Sequence, residues 1–506
     1  MHVERELKLK LDPRALPRVW RLLPTAAPAR RRQIESVYYD TPDLRLYRAG
    51  AALRLRRMGR VWLQTLKAPQ GAQTALTTRA EWEMPAPRGR LDCALFPREQ
   101  VRAATGVDII RLARRLRPLF VTRFERRMAP LALGHGVRAE ACVDEGSIEA
   151  GREREPILEL ELELKEGALG PLIGLAESLV EPLGLRIGTE SKAERGYRLS
   201  RSAGPIPPVK WLRPPIAENA AASDAFVKLC AAALAQIGAN AAGMTRGGDT
   251  EYLHQLRVGV RRLRSVARAF RPLLRRARAR RAGRQWRRMM RAFGTARDWD
   301  VFCETLTDAA AAPALLARAR ARRSAARREA RRVVTSAEFQ QAQLHALRWL
   351  HGDPWKSDAA RAEPFARFAA RALDGIHAGL AKRARHIDWR DAPRRHAVRI
   401  EVKRLRYGCD FFSACFPRQA VQPFLARLAS LQDMLGELND VAVARQLLDA
   451  LGPPEEDADV RRERARVRRW LGRRERELID ALEPAWSALE AKRPYWRAKK
   501  APRARR

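Results

Sequence analysis

Over the first two hundred residues, apolar and polar positions alternate in short runs. They include Val37–Tyr39, Ala52–Arg57, Trp62–Lys67, Glu81–Met84, Val121–Met128, Ala139–Val143 and Ile157–Leu164. Alternation places residues i and i+2 on one face, so these runs predict a mostly antiparallel sheet. The opening stretch MHVERELKLKL follows the same rule. Glu4, Glu6 and Lys8 share a face, while Val3, Leu7, Leu9 and Leu11 lie on the other with Arg5 interrupting them. Longer periods predict helices at Asp12–Leu23, Glu99–Leu116 and Pro171–Leu183.

Beyond Gly204 the pattern changes. GPIPPVKWLRPP (204–215) has prolines that fix φ and remove donors, which predicts an extended connector between domains. The chain then divides into residues 1–203, a linker at 204–215, residues 216–490, and a basic tail at 491–506. Residues 216–490 read as all-α and carry a repeat. HQLRVGVRRLR at His254 returns as HAVRIEVKRLR at His396, 142 residues later, and Gly294 and Asp298 return as Gly436 and Asp440 at the same offset. On a helical wheel His254, Arg257, Arg261 and Arg264 fall within about 80°, as do His396, Arg399, Lys403 and Arg406. Leu256, Val260, Leu263 and Phe270, with Val398, Val402, Leu405 and Phe412, form separate apolar faces for a bundle. The two basic stripes are left to meet a ligand.

Charge sharpens this picture. The chain has 506 residues and a formal net charge of +42, which predicts an anionic partner. Residues 1–200 hold 36 Lys and Arg against 26 Asp and Glu, and residues 201–506 hold 64 against 32, so the excess lies in the helical part. Six scattered cysteines without a CxxC pair indicate neither a zinc site nor a disulfide framework, which fits a reducing cytoplasm. The charged N-terminus lacks an apolar leader and Ala220–Met244 is interrupted by Asp224 and Lys228, so neither export nor a membrane span is expected.

The alternating strands also carry charges that share faces. Arg54 and Arg56 do so, as do Glu159, Glu161 and Glu163, and Lys67, Glu81, Glu83, Arg123, Asp144 and Lys192 add more. Many charges facing inward are costly unless paired or matched to ions. Carboxylates suit hard cations such as Mg²⁺ or Mn²⁺, and Lys and Arg neutralise phosphate oxygens. That combination is what phosphoryl transfer requires. No Gly-rich phosphate loop is present, which speaks against a P-loop fold.

HVERELKLK resembles the ExExK signature of the CYTH family, the triphosphate tunnel metalloenzymes. The likeness continues in order through YYDTPDLRLYRAGAALRLRR, WLQTLKAP, EWE, RFERR, VDEGSIEAG, ELELELK and SKAERGY, over residues 2–200. It implies an eight-stranded antiparallel β-barrel forming a tunnel within an α+β domain, with metal-dependent hydrolysis of inorganic tripolyphosphate. By the same resemblance Glu4, Glu6, Asp144, Glu159 and Glu161 stand near the metal. Lys8, Arg54, Arg56, Lys67, Arg123 and Lys192 hold the triphosphate, with Glu4, Glu6, Lys8, Arg54, Arg56 and Lys67 as the catalytic set. Residues 216–490 resemble the CHAD domain, a duplicated helical bundle that binds polyphosphate. His254, Arg257, Arg261, Arg262 and Arg264 match its first motif, and His396, Arg399, Lys403, Arg404, Arg406 and Tyr407 its second. Cytoplasmic localisation, with association to polyphosphate granules, follows as an expectation.

Two other readings stay open at this level. The tunnel substrate can be thiamine triphosphate, a nucleoside triphosphate or an RNA 5′ triphosphate. Alternatively the chain is a non-enzymatic binder of nucleic acid or ribosomes. Against the second, aromatic residues interleaved with the basic stripes are scarce, whereas single-strand binders stack bases on such residues.

Overall fold

The charged inner positions and apolar outer positions of each strand decide how the sheet closes. In the computed structural model, which describes residues 2–497 apart from 70–73, 75, 135, 203, 205 and 453–457, β1 (His2–Lys10), β2 (Arg30–Asp40), β3 (Ala52–Met58), β4 (Val61–Pro69), β5 (Leu76–Pro85), β6 (Arg117–Ala132), β7 (Arg138–Ala150) and β8 (Glu153–Glu166) form an antiparallel sheet. Its order is β5-β4-β3-β2-β6-β7-β8-β1, and β1 also pairs with β5, which closes a barrel; β9 (Arg186–Ile187) adds to β1. Closure leaves no long free edge among these strands. The register sets opposite charges side by side: Lys8 faces Glu161, Lys67 faces Glu81, Arg126 faces Asp144 and Glu4 faces Arg79. Such cross-strand pairs are what make an ionic interior tolerable.

Outside the barrel, apolar residues meet short helices. These are α1 (Leu16–Leu22), α2 (Arg45–Arg48), α3 (Arg98–Thr105), α4 (Ile109–Leu112), α5 (Leu169–Leu183) and α6 (Lys192–Ser200). Leu53, Leu66, Ala80 and Trp82 pack with Phe96, Val101, Ile109 and Leu112 in one cluster. Full burial of such side chains is worth about 1.5–3 kcal/mol each. The single helix expected over Glu99–Leu116 is interrupted: Gly106 takes φ +70° and caps α3, and the Asp108 side chain accepts from Arg111 N–H to start α4. At one end of the lumen Ile34, Tyr38, Phe120, Phe124 and Ile148 gather with Tyr197 of α6.

The remaining helices are α7 (Ala222–Arg246), α8 (Thr250–Ala269), α9 (Arg276–Asp308), α10 (Pro313–Thr335), α11 (Ala337–His351), α12 (Asp358–Ala362), α13 (Phe365–Ala384), α14 (Ala392–Phe412), α15 (Arg418–Ala450) and α16 (Ala458–Glu490). The bounds of α9 and α15 repeat at the 142-residue offset. The two predicted apolar faces are buried, with Leu256, Val260, Phe270, Val398, Val402, Leu405 and Phe412 at 0% exposure. Phe226 and Phe270, whose repeat counterparts are Phe368 and Phe412, stack in one aromatic cluster with Phe365. α7 is long and apolar enough to cross a membrane, yet Phe226, Leu229, Cys230, Ala233 and Ile237 are wholly buried as core. By contacts the chain divides into two units. The first comprises Met1–Leu212, Leu234–Gln255 and Val334–Asp353, and the second Arg213–Ala233, Leu256–Val333 and Pro354–Arg506. Within the first, α11 packs on α5, where Arg348 pairs with Glu177 at 2.9 Å. Of the basic tail, Tyr495 and Trp496 are buried against Phe424, and residues 498–506 lie outside the described residues.

Candidate functional site

The even positions of β1 and β3 point to the lumen, and so do the odd positions of β5. Together they line a cavity of about 370 Å³ whose walls include Glu4, Glu6, Lys8, Arg54, Arg56, Lys67, Arg79, Arg126, Glu161 and Lys192. Each β1 carboxylate is held by a lysine. Lys67 Nζ lies 2.5 Å from Glu4 Oε2 and 3.4 Å from Glu81 Oε1, and Lys8 Nζ lies 2.6 Å from Glu6 Oε1.

Asp144, Glu159 and Glu161 form the densest acidic group. All three are buried, and an oxygen from each lies within 4.8 Å of the others. Two cations answer them: Lys192 Nζ sits 2.6 Å from Asp144 and 2.9 Å from Glu161 and also contacts Glu159, while Arg126 binds Asp144 through two nitrogens at 2.7 and 2.6 Å and reaches Glu161 at 2.5 Å. The trio therefore fits a divalent ion, since three hard oxygen donors converge on a point that already attracts a cation.

Helix α6 delivers Lys192, and its sequence SKAERGY explains how. Ser191 caps the helix and Glu194 completes a capping box, so Lys192 starts the first turn facing the trio. Arg195 bonds Glu155 at 2.8 Å. Gly196 lets the helix lie on Phe120, where a Cβ would stand 2.1 Å from the ring.

The fields in this lumen are strong. Burial alone would lower Lys192, but Asp144, Glu159 and Glu161 hold it well above the usual lysine range. Burial likewise opposes ionisation of Glu161, yet Lys192 and Arg126 keep it well below the carboxylate range. Arg56 shows the reverse. Burial, reinforced by Arg54 and Arg126, pushes it down to about 10, the mark of a guanidinium short of negative charge. An anion placed beside Arg56 would relieve that deficit.

Of the residues expected in the tunnel, Glu4, Glu6, Lys8, Arg54, Arg56, Lys67, Glu161 and Lys192 line the cavity, and Asp144 and Glu159 adjoin Glu161. Arg123 does not: its side chain is half exposed and pairs with Glu149 and, at 3.4 Å, with Glu35. Thr122 and Phe124 are buried while Arg123 between them is exposed, so Arg126 brings the inward guanidinium of RFERR. Parity with Phe124 within the strand is the signal that identifies it. Arg79, absent from the expected set, also lines the cavity.

In the second unit the basic stripes of α8 and α14 converge on two aspartates. Burial lowers both Arg257 and Arg399, and each lies in the field of Asp298 and Asp440 as well as of Arg261. Burial, then Arg261, pushes Arg257 down to about 10; burial, then Arg399 and Arg261, pushes Lys403 down to about 7. Burial raises Asp298 and Asp440. Arg257 Nη1, Arg261 Nε and Arg399 Nε are buried without a protein hydrogen-bond partner, which is costly unless an anion or water answers them. Gly294 leaves room for Arg257, whose Nη1 is 3.2 Å from where a Cβ would stand. Arg264 is lowered by burial and Arg287, and Arg406 is half-buried. Two residues of the stripe motifs have protein partners instead. Arg262 lies 3.7 Å from Asp410 and over the Tyr407 ring, and Arg404 pairs with Glu401. The histidines differ, His254 being half-buried and His396 exposed.

Comparison with known proteins agrees with this geometry. The CYTH domain profile matches residues 2–197 and the CHAD domain profile residues 228–449. The chain is similar to an inorganic triphosphatase of Haemophilus influenzae, 31% identical over 169 residues, covering 32% of this chain and 45% of that protein, so the match spans about half the relative's length. Among solved structures it resembles the CHAD domain from the plant Ricinus communis, with 28% identity over 56% of this chain and 97% of that one at a TM-score of 0.49. It also resembles a Hippeastrum putative adenylyl cyclase described as having a dominant triphosphatase activity, with 20% identity over 40% of this chain and 98% of that one at a TM-score of 0.30. The chain thus belongs to the CYTH and CHAD families, with a CYTH barrel at residues 2–197 and a CHAD helical domain at residues 228–449.

Proposed function

We propose that the barrel hydrolyses inorganic triphosphate to diphosphate and phosphate with the help of Mg²⁺ or Mn²⁺, and that the helical domain binds long-chain polyphosphate. One observation carries the first part: a buried carboxylate trio reaches through Glu161 into a lumen lined by Lys8, Arg54, Arg56, Lys67 and Arg126. The inorganic triphosphatase among its relatives supports the same reading.

Asp144, Glu159 and Glu161 would hold the ion, with Glu4 and Glu6 on the neighbouring strand β1 as further oxygen donors. Bound there, a divalent ion supplies Lewis-acid stabilisation of phosphate oxygens and lowers the pKa of a water. The protein's own cations do the rest. Arg54 and Arg56 orient the triphosphate and stabilise charge as the leaving phosphate departs. Lys8 and Lys67, now neutralising Glu6 and Glu4, add positive charge from β1 and β4.

The polyphosphate reading of the helical domain rests on the unpartnered guanidinium nitrogens of Arg257, Arg261 and Arg399 beside Lys403. A phosphate chain offers acceptors to all four. Six free cysteines suit a reducing cytoplasm. The test is phosphate release from tripolyphosphate, ATP and thiamine triphosphate with Mg²⁺, Mn²⁺ or a chelator. Metal-dependent release favouring tripolyphosphate supports the assignment, whereas preference for either organic triphosphate reassigns the substrate.

A further inference from the structure

A second basic cavity, of about 1090 Å³, lies between α8, α13 and α14 in the second unit. Its floor is made of small residues, Ala372, Gly375, Gly379, Ala397 and Gly408, and its walls carry Arg268, Lys382, Arg394 and Arg404. The lone carboxylate among the lining residues, Glu401, is engaged by Arg404. Burial, then Arg404 and Arg264, lowers Arg268, so positive charge here is under-compensated.

The internal repeat indicates what shape of ligand such a groove takes. Two positions of the first copy, Asn240 and Tyr252, and one of the second, Asp410, hold the extended Pro-rich connector. The Asn240 side chain accepts from Val209 N–H at 3.0 Å and donates to Val209 O at 2.9 Å. Tyr252 Oη donates to Ile206 O at 2.6 Å. Elsewhere Arg213 donates to Asp410 at 2.7 Å. Shifted by the 142-residue offset, Asn240 corresponds to Lys382, Tyr252 to Arg394, and Asp410 to Arg268. All three counterparts line the cavity. Positions that hold an extended chain thus have repeat counterparts that border an open groove.

The replacements also change the chemistry. Asn240 both donates and accepts, which suits a peptide backbone; Lys382, Arg394 and Arg268 only donate. A peptide laid in this groove would find few side-chain acceptors for its N–H groups, Ser265 and His386 among the lining residues, with Glu401 already engaged by Arg404. A ligand made of acceptors alone does not meet that problem. We propose that this groove binds an extended segment of linear polyphosphate, continuing from the Arg257–Lys403 cluster; the proposal rests on the polyphosphate reading of the helical domain. The path between them is short. Arg261 and Arg268 are seven residues apart on α8, about 10 Å, and Lys403 adjoins Arg404. A chain long enough to occupy both sites gains through effective concentration, whereas a short one fills the central cluster alone.

The full-length protein is titrated with short polyphosphate of about ten units and with long chains of hundreds, in parallel with poly-glutamate. Four variants are compared: Lys382→Glu with Arg394→Glu; Gly375→Leu; a charge-matched control, Arg318→Glu with Arg322→Glu on exposed positions of α10; and Arg261→Ala with Lys403→Ala. Gly375→Leu keeps every charge and meets open space at its Cβ, so it blocks the groove without a clash. Both groove variants should weaken long-chain binding at least about tenfold relative to the control, with short-chain affinity changed less than about twofold. Long-chain binding equal to the control in both groove variants overturns the proposal, and so does poly-glutamate competing for the groove. If instead the Arg261/Lys403 variant binds short chains as the parent does, it is the underlying reading of the helical domain that fails.

Discussion

The ammonium of Lys192 stands 2.6 Å from Asp144 Oδ2, at the focus of three buried carboxylates. On the proposed metal site a lysine and a divalent ion would compete for one set of oxygens. Replacing Lys192 by Ala should tighten apparent Mg²⁺ or Mn²⁺ affinity, because the trio loses a resident cation. It should also lower kcat/KM for tripolyphosphate by about 100-fold or more, since a phosphate-neutralising charge is gone. Metal titration followed by calorimetry, alongside steady-state kinetics, checks both halves. Unchanged metal affinity would show that Lys192 and the ion do not share the trio.

Arg126 and Arg123 provide a contrast within one strand. Arg126→Ala should depress kcat/KM by about 100-fold and cost about 3–5 kcal/mol of stability, because Asp144 is left buried with one partner fewer. Arg123→Ala removes half-exposed pairs to Glu35 and Glu149 and should cost about 1 kcal/mol or less, with kinetics within about twofold. Equal kinetic effects of the two substitutions would contradict the inward and outward assignments.

That pair also shows what the sequence could and could not disclose. The alternation of Glu4, Glu6 and Lys8 was legible because apolar Leu7 and Leu9 mark the opposite face of β1. In β6 both faces are partly buried and RFERR offers arginines on each parity, so composition does not choose between them. The repeat at His254 and His396 was legible from its offset, and Arg297 against Asn439 with Arg291 against Asp433 already marked the copies as unequal, but which stripe residues take protein partners was not. Arg262 lies over Tyr407 and beside Asp410, while Arg404 pairs with Glu401 at the edge of a groove. Such differences arise from residues far apart in sequence. The fold itself was more accessible than the site, because apolar periodicity records burial whereas ion pairing depends on which strands become neighbours.

Gly196 sets the seat of α6. Gly196→Ala places a methyl group 2.1 Å from the Phe120 ring, and the helix must shift to relieve it. The expected loss is about 1–3 kcal/mol of stability, with a larger proportional drop in kcat than in stability-matched surface variants because Lys192 moves with the helix. Thermal denaturation and kinetics on the same preparation test this. A variant as stable and active as the parent would place the helix elsewhere.

On the polyphosphate reading of the helical domain, Lys403 should make binding depend on pH. Burial, with Arg399 and Arg261, lowers its pKa to about 7 in the free protein, and a bound polyanion raises it. Below pH 7 the lysine is charged before and after binding, so affinity is at its maximum. Above pH 7 binding must take up a proton, and affinity should fall by up to about tenfold per pH unit until the bound-state pKa is reached. Calorimetry at pH 8 in buffers of different ionisation enthalpy should report proton uptake. Lys403→Arg, permanently charged, should flatten the profile; an unchanged slope in that variant would remove Lys403 from the site.

The central claim is that the carboxylate trio and the cationic lumen together hydrolyse inorganic triphosphate. The most direct measurement is phosphate release from tripolyphosphate by the full chain with and without Mg²⁺ or Mn²⁺, set beside Asp144→Asn and Glu161→Gln. The account predicts metal-dependent turnover, abolished by chelator and reduced by about 1,000-fold or more in either variant while the barrel stays folded by circular dichroism. Turnover that persists in chelator, or survives in both folded variants, would contradict it.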